Sequence, residues 1–420
     1  MSARSDAIVI GGGMGGLTAA AYLRQTGASV VLLEADEMLG GACRRAETFH
    51  ALDPRMVKDL GLARHGLKFA LRDMALVALR QDGRNLVLGR DPHDAARAIA
   101  AHSPADAAAY RCYQSELFAL ARAMRPWWWD DAAEPHGLPA RVEAASAQAF
   151  LASYFESDAL RAALAFDVPS PLEPGSALAL VWRAAQEMCG SQGAVAAPQG
   201  GGAALADALI AAAKDMGVEF RAKARVARLV LDGDAVAGAE LDSGETIFAP
   251  AVLSSLSRRE TLLDLAPAAS AGFAQTQKLM RAAPAQKETT AVFTLNAEPA
   301  LAPSGARFVV AEGETALEAV VAACALPGQH VLSVRVKGLA PVDAIVAQLE
   351  HFIPLLRGRI VGIQTGERDV AQTRLLESAR TRIATPIRGL FLCGRGAEPM
   401  DALSGRAGRL AADFVVRRGS

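Results

Sequence analysis

The stretch from Asp6 to Arg44 constrains this chain more than any other. A short apolar, β-branched run, Asp6 to Ile10, leads into Gly11-Gly12-Gly13-Met14-Gly15-Gly16. An Ala-rich segment from Leu17 to Gln25 has the character of a helix, and Ser29 to Leu33 reads as a second buried strand ending at Glu34. Strand, glycine loop, helix and strand in this order make a βαβ unit, with G-x-G-x-x-G on Gly11, Gly13 and Gly16. Each residue type has a reason to be there. Gly11 permits the tight turn, Gly13 lets a pyrophosphate approach the backbone, and Gly16 lets the helix lie close to the sheet. The helix N-terminus offers free N–H groups and a partial positive charge to phosphates. Glu34, followed by Ala35, is placed to accept from ribose hydroxyls and would repel a 2′-phosphate. The pattern predicts a dinucleotide site and an α/β class with a Rossmann-like domain.

Composition narrows the class further. Of 420 residues, 51% are hydrophobic, and 44 Lys and Arg balance 45 Asp and Glu, which argues against a broad nucleic-acid-binding face. The five cysteines, Cys43, Cys112, Cys189, Cys324 and Cys393, are scattered and form no C-x-x-C pair. They predict a reducing, cytoplasmic setting rather than a disulfide framework or a zinc site. The histidines lack metal-ligand spacing, so no metal is expected. No apolar run reaches membrane-spanning length. The apolar start, Ala7 to Leu23, is better explained by its ordered glycines than as a signal peptide. No G-x-S-x-G elbow points to a hydrolase.

Beyond the opening unit the pattern alternates. Met74 to Leu79 and Asn85 to Leu88 predict a hairpin turning at Asp82-Gly83. Asp91-Pro92 and Ser103-Pro104 each start a helix, the second continuing through Tyr110 to Arg125. Pro126-Trp127-Trp128-Trp129 reads either as a helix end whose indoles cover the core or as a lipid-facing or substrate-entry patch. Pro135 to Pro139 reads as a loop. Helices are expected over Ser146 to Phe166 and Ser176 to Cys189. A further helix enters at Gly200-Gly201-Gly202 and runs to Met216, followed by a strand at Val218 to Arg221. A β-meander is expected from Arg225 to Phe248, and a returning strand at Ala251 to Ser254. Strands at Thr289 to Leu295, Phe308 to Val310 and His330 to Val336 suggest a separate sheet. Leu390 to Leu392, then Cys393-Gly394, and Ser404-Gly405 before a closing helix return the chain to the nucleotide fold. The domain expectation is therefore discontinuous: FAD-binding parts at 1–50, 195–265 and 365–420, with an α+β substrate domain from 51–194 and 266–364.

The cofactor named in that division follows from a resemblance. An acid, a short spacer, Gly40-Gly41 and then Arg44 resemble the extended FAD motif of two-dinucleotide-binding-domain flavoproteins. Together with Leu60-Gly61-Leu62, His65-Gly66-Leu67, Ser103-Pro104 with Asp106 and Tyr110, Pro198 to Leu205 and Leu392-Cys393-Gly394, nearly the whole chain resembles the phytoene desaturase–like branch of the amine oxidase superfamily. That resemblance implies non-covalent FAD, hydride abstraction from an apolar small molecule, and quinone or oxygen as electron acceptor. It implies FAD contacts at Gly11, Gly13, Met14, Gly15, Gly16, Glu34, Ala35, Gly40, Gly41, Arg44, Val226, Gly394, Arg395, Ser404 and Gly405. The start of the closing helix is expected to face the flavin pyrimidine ring.

Two departures stand out. Ala46 to Pro54 is contracted relative to the family, and the family's Thr-His-Pro and three glycines are replaced by Ala397-Glu398-Pro399-Met400-Asp401-Ala402. Glu398 and Asp401 are the candidate general bases, the competing reading being a solvated loop or contacts to the ribityl chain. Two rival functions remain beside the leading one. One is amine or amino-acid oxidation on the same scaffold. The other is a degenerate FAD- or lipid-binding accessory protein without turnover. Peripheral membrane contact is an expectation of the tryptophan run, and oligomeric state is left open.

Overall fold

The computed structural model describes residues 4–89, 91–129, 140–267, 270–281, 286–310, 316–322, 329–370, 375–398, 400 and 403–419. The opening unit forms as its glycines and β-branched runs dictate: β1 (Ala7–Ile10), α1 (Met14–Gln25) and β2 (Val30–Leu33). Both strands are wholly buried, as in parallel sheets covered on two faces. They sit in a five-stranded parallel sheet ordered Leu390–Leu392, Ala251–Ser254, β1, β2, Glu219–Arg221. Ala7 pairs with Ala251 on one side and with Val30 on the other. Strands drawn from residues near 10, 220, 253 and 391 thus converge in one layer, so the nucleotide fold is assembled from three separated stretches. A meander, Val226–Asp232, Ala235–Leu241 and Thr246–Phe248, forms a three-stranded antiparallel sheet.

A seven-stranded sheet forms the second body. Its order is Ile360–Val370, Gln286–Leu295, His330–Lys337, Leu317–Ala322, Arg307–Val310, Leu76–Leu79, Leu86–Leu88. The hairpin expected around Asp82-Gly83 is its edge, with Leu76 opposite Leu88. The expected boundary at 364 falls inside the strand Ile360–Val370, which stays paired with Gln286–Leu295 to its end. The strand Leu317–Ala322 escapes sequence reading because Leu-Glu-Ala-Val-Val-Ala suits a helix equally well. One antiparallel neighbour on each side decides it, as context commonly overrides β-propensity.

Helices cover this sheet. The tryptophan helix, Pro104–Trp129, continues through Pro126 to Trp129. Proline inside a helix costs a hydrogen bond and a steric clash; the burial of Trp127 and Trp128, at 5% and 0% exposure, outweighs that cost. The indoles therefore face the core, against the lipid-facing alternative. Asp130, Asp131 and the expected loop at 135–139 lie outside the described residues, as does Cys324. The expected helix over 146–166 is two, Ala147–Ala152 and Asp158–Ala165, capped by Ser146 and Ser157. The helix expected over 176–189 ends at Ala185 (Ala177–Ala185), because Cys189 and Gly190 adopt positive φ in a tight hairpin. No described helix is long and apolar enough to cross a membrane.

A buried charge cluster joins helices to sheet. Asp167 accepts from Arg307 at 2.8 Å and Arg335 at 3.0 Å, with Arg183 at 3.4 Å, while Glu318 holds Arg307 and Arg335 from the other side. Burial alone would raise the Asp167 carboxyl; the guanidiniums of Arg307, Arg183 and Arg335 overcome it and hold the group well below the usual range.

Candidate dinucleotide site

The site begins at the turn after β1. Gly11 has φ +90°, and its amide donates to Leu33 O at 2.8 Å. A side chain there would run into Ser255, whose Oγ instead donates to Gly11 O at 3.0 Å. Gly15 and Gly16 serve close packing. A Cβ would lie 2.1 Å from Cys393 O in the first case and 2.0 Å from Gly11 O in the second. Gly13 is different. Nothing lies within 4 Å of where its Cβ would be, and no side chain caps α1. The first-turn amides of a 12-residue helix thus open onto free space, which is the arrangement that receives phosphate oxygens.

Glu34 lies at the edge of this opening. Its Oε2 accepts from Gly12 N at 2.7 Å and its Oε1 from Asp36 N at 2.9 Å. The carboxylate is oriented by backbone amides, with Ala35 half-buried behind it. Gly40, at φ +110°, donates to Gly12 O at 2.8 Å, so the paired glycines lie alongside the loop, with Gly41 next to Gly13. Ala224 N donates to Glu34 O at 2.8 Å, which brings the segment before Val226 to the same edge. The Val226 side chain itself is buried and its strand position pairs with Leu241. Met14 is buried too, its carbonyl accepting from Thr18 Oγ1 at 2.8 Å. Arg44 turns elsewhere: it donates to Leu39 O and, at 2.5 Å, to Asp207.

The C-terminal residues meet the site from behind. Gly394 abuts Ser255, and Gly405, at φ +73°, abuts Met56 and Thr18, so both permit tight junctions. Arg395 is exposed. The closing helix, Arg406–Gly419, does not present open amides. Ser404 Oγ accepts from Arg406 N at 2.9 Å, and Glu398 Oε1 accepts from Ala407 N at 2.9 Å and from Ser404 Oγ at 2.5 Å. The expectation that this helix start faces a flavin ring is corrected here: the chain's own carboxylate sits on it. Glu398 is 6% exposed, so a solvated-loop role is ruled out, and its carboxylate is committed to capping rather than poised over a substrate. Burial raises its pKa, with Arg406 opposing. Asp401 lies outside the described residues, together with Pro399 and Ala402.

Sequence reading missed what surrounds Glu398. Asp53 caps the helix Pro54–Asp59 through Arg55 N, while its Oδ2 accepts from Arg409 at 2.8 Å with Arg406 at 3.9 Å. Asp53 N donates to Ser404 O at 2.8 Å. The contracted segment is therefore pulled directly onto the closing loop. Arg406 also donates to Gln186 at 3.2 Å and stacks 4.1 Å from the Trp129 ring. The spacing of Arg406 and Arg409, one helical turn apart, was the only sequence signal of a shared acidic partner. Between these groups lies a cavity of about 10 Å³ lined by Trp128, Trp129, Trp182, Glu398 and Arg406, among others. Cys43 and Cys393 are buried; burial lifts the Cys43 thiol to about 12 and Cys393 higher still, which leaves both inert as nucleophiles.

The comparisons with known proteins agree with this geometry. Residues 9–67 match the family model of an NAD(P)-binding Rossmann-like domain. The chain is 30% identical over 318 residues to pyridine nucleotide-disulfide oxidoreductase domain-containing protein 2 of Rattus norvegicus, covering 62% of this chain and 55% of that protein. It thus spans little more than half the length of that relative. A carotenoid 3,4-desaturase of Haloarcula japonica is 57% identical over 42 residues, 10% of this chain and 8% of that one. Putrescine oxidase with putrescine bound superimposes along the whole of both chains, with a TM-score of 0.69 and 16% identity, which shows a shared fold. The chain thus carries an NAD(P)-binding Rossmann-like domain over residues 9–67 and shares its fold with putrescine oxidase along its whole length. The open start of α1, the spacing at Gly13 and the braced Glu34 are a cradle that fits the adenosine and pyrophosphate half of a dinucleotide such as FAD.

Proposed function

We propose that this protein is an FAD-dependent oxidoreductase of the phytoene desaturase–like type, oxidising or desaturating an apolar small molecule. The observation that carries the reading is the cradle at Gly13. It joins an uncapped helix start, a backbone facing open space, and a carboxylate held at the ribose position by two amides. In this reading Gly11, Gly15 and Gly16 shape the loop, and the amides of Gly13 and Met14 hold the pyrophosphate. Glu34 and Ala35 face the ribose, and Gly40 and Gly41 admit the cofactor's passage. Val226, Gly394 and Gly405 support the loop from behind through close packing, Ser404 caps the closing helix, and Arg44 braces the paired glycines through Leu39 O and Asp207. The chemistry that bound FAD supplies is acceptance of a hydride, its electrons passing on to quinone or oxygen. The helices over the seven-stranded sheet keep water from the substrate, and the proton-accepting role falls to Asp401 rather than to the capping Glu398. The visible spectrum of the purified protein tests the reading: a flavin band with free FAD released on heating is expected, and a colourless protein that does not take up added FAD overturns it. An anaerobic screen of apolar substrates, watching for bleaching, then names the substrate.

A second reading, amine oxidation, draws on the likeness to putrescine oxidase along the full length of both chains. Peroxide release with a panel of amines separates the two.

A further inference from the structure

Lysine is scarce in this chain, and one lysine is placed unlike the rest. Lys58, Lys68, Lys214, Lys223, Lys278 and Lys287 are exposed; the seventh, Lys337, is half-buried. It stands two residues after Arg335 on the strand His330–Lys337, so both point to the face of the seven-stranded sheet that carries the buried charge cluster. The cations of that cluster are arginines, which keep their proton under all ordinary conditions. A lysine in such a place can lose it.

Lys337 lines a cavity of about 360 Å³ between the turn at 169–173 and the strands Gln286–Leu295 and His330–Lys337. That volume falls in the range of small-ligand pockets, roughly 300–1,000 Å³. Pro169, Pro171 and Leu172 give the lining its hydrocarbon, and Leu172, 71% exposed, stands at the open rim. The amine is held in place: Nζ donates to Val168 O at 2.9 Å and lies 5.0 Å from the centre of the Phe166 ring. A neutral amine keeps that N–H and has a lone pair besides. Burial, with Arg335 adding to it, brings Lys337 down to about 8, while Asp167, Glu288 and Glu318 pull the other way. The other charged groups at the cavity, Lys287 and Glu173, are exposed, and Lys287 pairs with Glu367 at 3.2 Å. About one Lys337 in ten is then a free amine at neutral pH, against roughly one in a thousand or fewer for an ordinary lysine.

We propose that Lys337 is a reversible covalent binding site for small apolar aldehydes, its amine forming an imine while the hydrocarbon body lies against Pro169, Pro171 and Leu172. The nitrogen attacks the carbonyl carbon, and a C–N bond forms as the C=O π pair moves to oxygen. A proton passes from nitrogen to that oxygen by way of Glu288, the buried carboxylate in the lining. The C–O bond then breaks, water leaves and the C=N bond closes. No oxidant or reductant is consumed. The site is independent of the flavin reading, because none of its residues belongs to the Gly13 cradle.

The test uses the protein as purified. It is incubated with hexanal and sodium cyanoborohydride, which reduces an imine to a stable secondary amine, and the modified lysines are mapped by peptide mass spectrometry. Near neutral pH, Lys337 is expected to be alkylated about tenfold or more faster than any exposed lysine, the advantage of its free-amine fraction. That lead should shrink as pH rises toward the ordinary lysine range. Glyoxylate, an aldehyde bearing a carboxylate, is expected to lose to hexanal several-fold more at Lys337 than at the exposed lysines. Leu172→Ser alters an exposed side chain, should fold, and is expected to narrow that preference. Lys337 modified no faster than the exposed lysines, one hexanal-to-glyoxylate ratio at all seven, or an unchanged preference in Leu172→Ser would each overturn the proposal.

Discussion

Two helices of this molecule start beside one another and treat their first-turn amides in opposite ways. At α1 no side chain caps the start, and the backbone at Gly13 opens onto space. At the closing helix, Ser404 and Glu398 take the first amides, and Asp53, Arg406 and Arg409 lock the surroundings. The two helices pack tightly: a Cβ on Gly408 would lie 2.2 Å from Gly15 O. Helix starts of this kind attract anions whatever their source. The lesson is that one start has been left open, while the other has been supplied from within the chain.

The largest test of this contrast is Asp53→Ala. It strips the acid from Arg406 and Arg409 and leaves buried charge uncompensated, so about 3–5 kcal/mol of stability should be lost in urea unfolding. A loss below about 1 kcal/mol would mean the closing end is not held by this cluster. Next come two glycines of the same loop. Gly16→Ala pushes a methyl into the Gly11 carbonyl and should cost about 1–3 kcal/mol. Gly13→Ala meets nothing within 4 Å and has an ordinary negative φ, so stability should change by about 0.5 kcal/mol or less while FAD occupancy falls. Equal effects on stability would erase the distinction between a packing glycine and a ligand glycine. Glu34→Ala should lower FAD retention about tenfold, read from the ratio of flavin to protein absorbance after gel filtration.

The smallest expected effect is a pH dependence. Glu398 has a folded pKa raised by burial, so the folded state binds its proton more readily than the unfolded chain. Its contribution to stability is present below the ordinary carboxylate value and is lost as pH rises through the raised one. Asp167 runs the other way: burial is overcome by Arg307, Arg183 and Arg335, and its contribution is lost as pH falls through its depressed value. Glu398→Gln keeps an acceptor oxygen for Ala407 and should flatten the stability profile just above the ordinary carboxylate range. An unchanged slope would show that the carboxyl proton is not what the cap responds to.

Local pattern carried most of the nucleotide fold. The glycine order, the β-branched runs and Glu34 lie within forty residues, and each rests on a short-range rule. The edge hairpin at Leu76–Leu79 and Leu86–Leu88 was legible for the same reason. What could not be read depends on partners far along the chain. Glu398 looked like a base because its caps, Ser404 and Ala407, are recognisable only once the closing loop is folded back. Asp53 and Arg409 are 356 positions apart, and neither advertises the other. The strand Leu317–Ala322 has helix-like composition and becomes a strand through neighbours on both sides. Pro126 would end a helix by local rules, and burial of the following indoles carries the helix past it.

The placement of the tryptophans has an optical consequence. The chain has four, and they are Trp127, Trp128, Trp129 and Trp182. Trp128 donates to Leu375 O at 2.8 Å, and Trp182 meets His50 edge-on with ring centroids 6.0 Å apart. The parallel sheet around β1 holds no indole. Intrinsic emission therefore watches one seam, where the helical layer meets the closing helix, while circular dichroism averages the whole chain. If the nucleotide layer and the helical layer melt separately, the two signals will part company in the same cuvette, without any label being introduced.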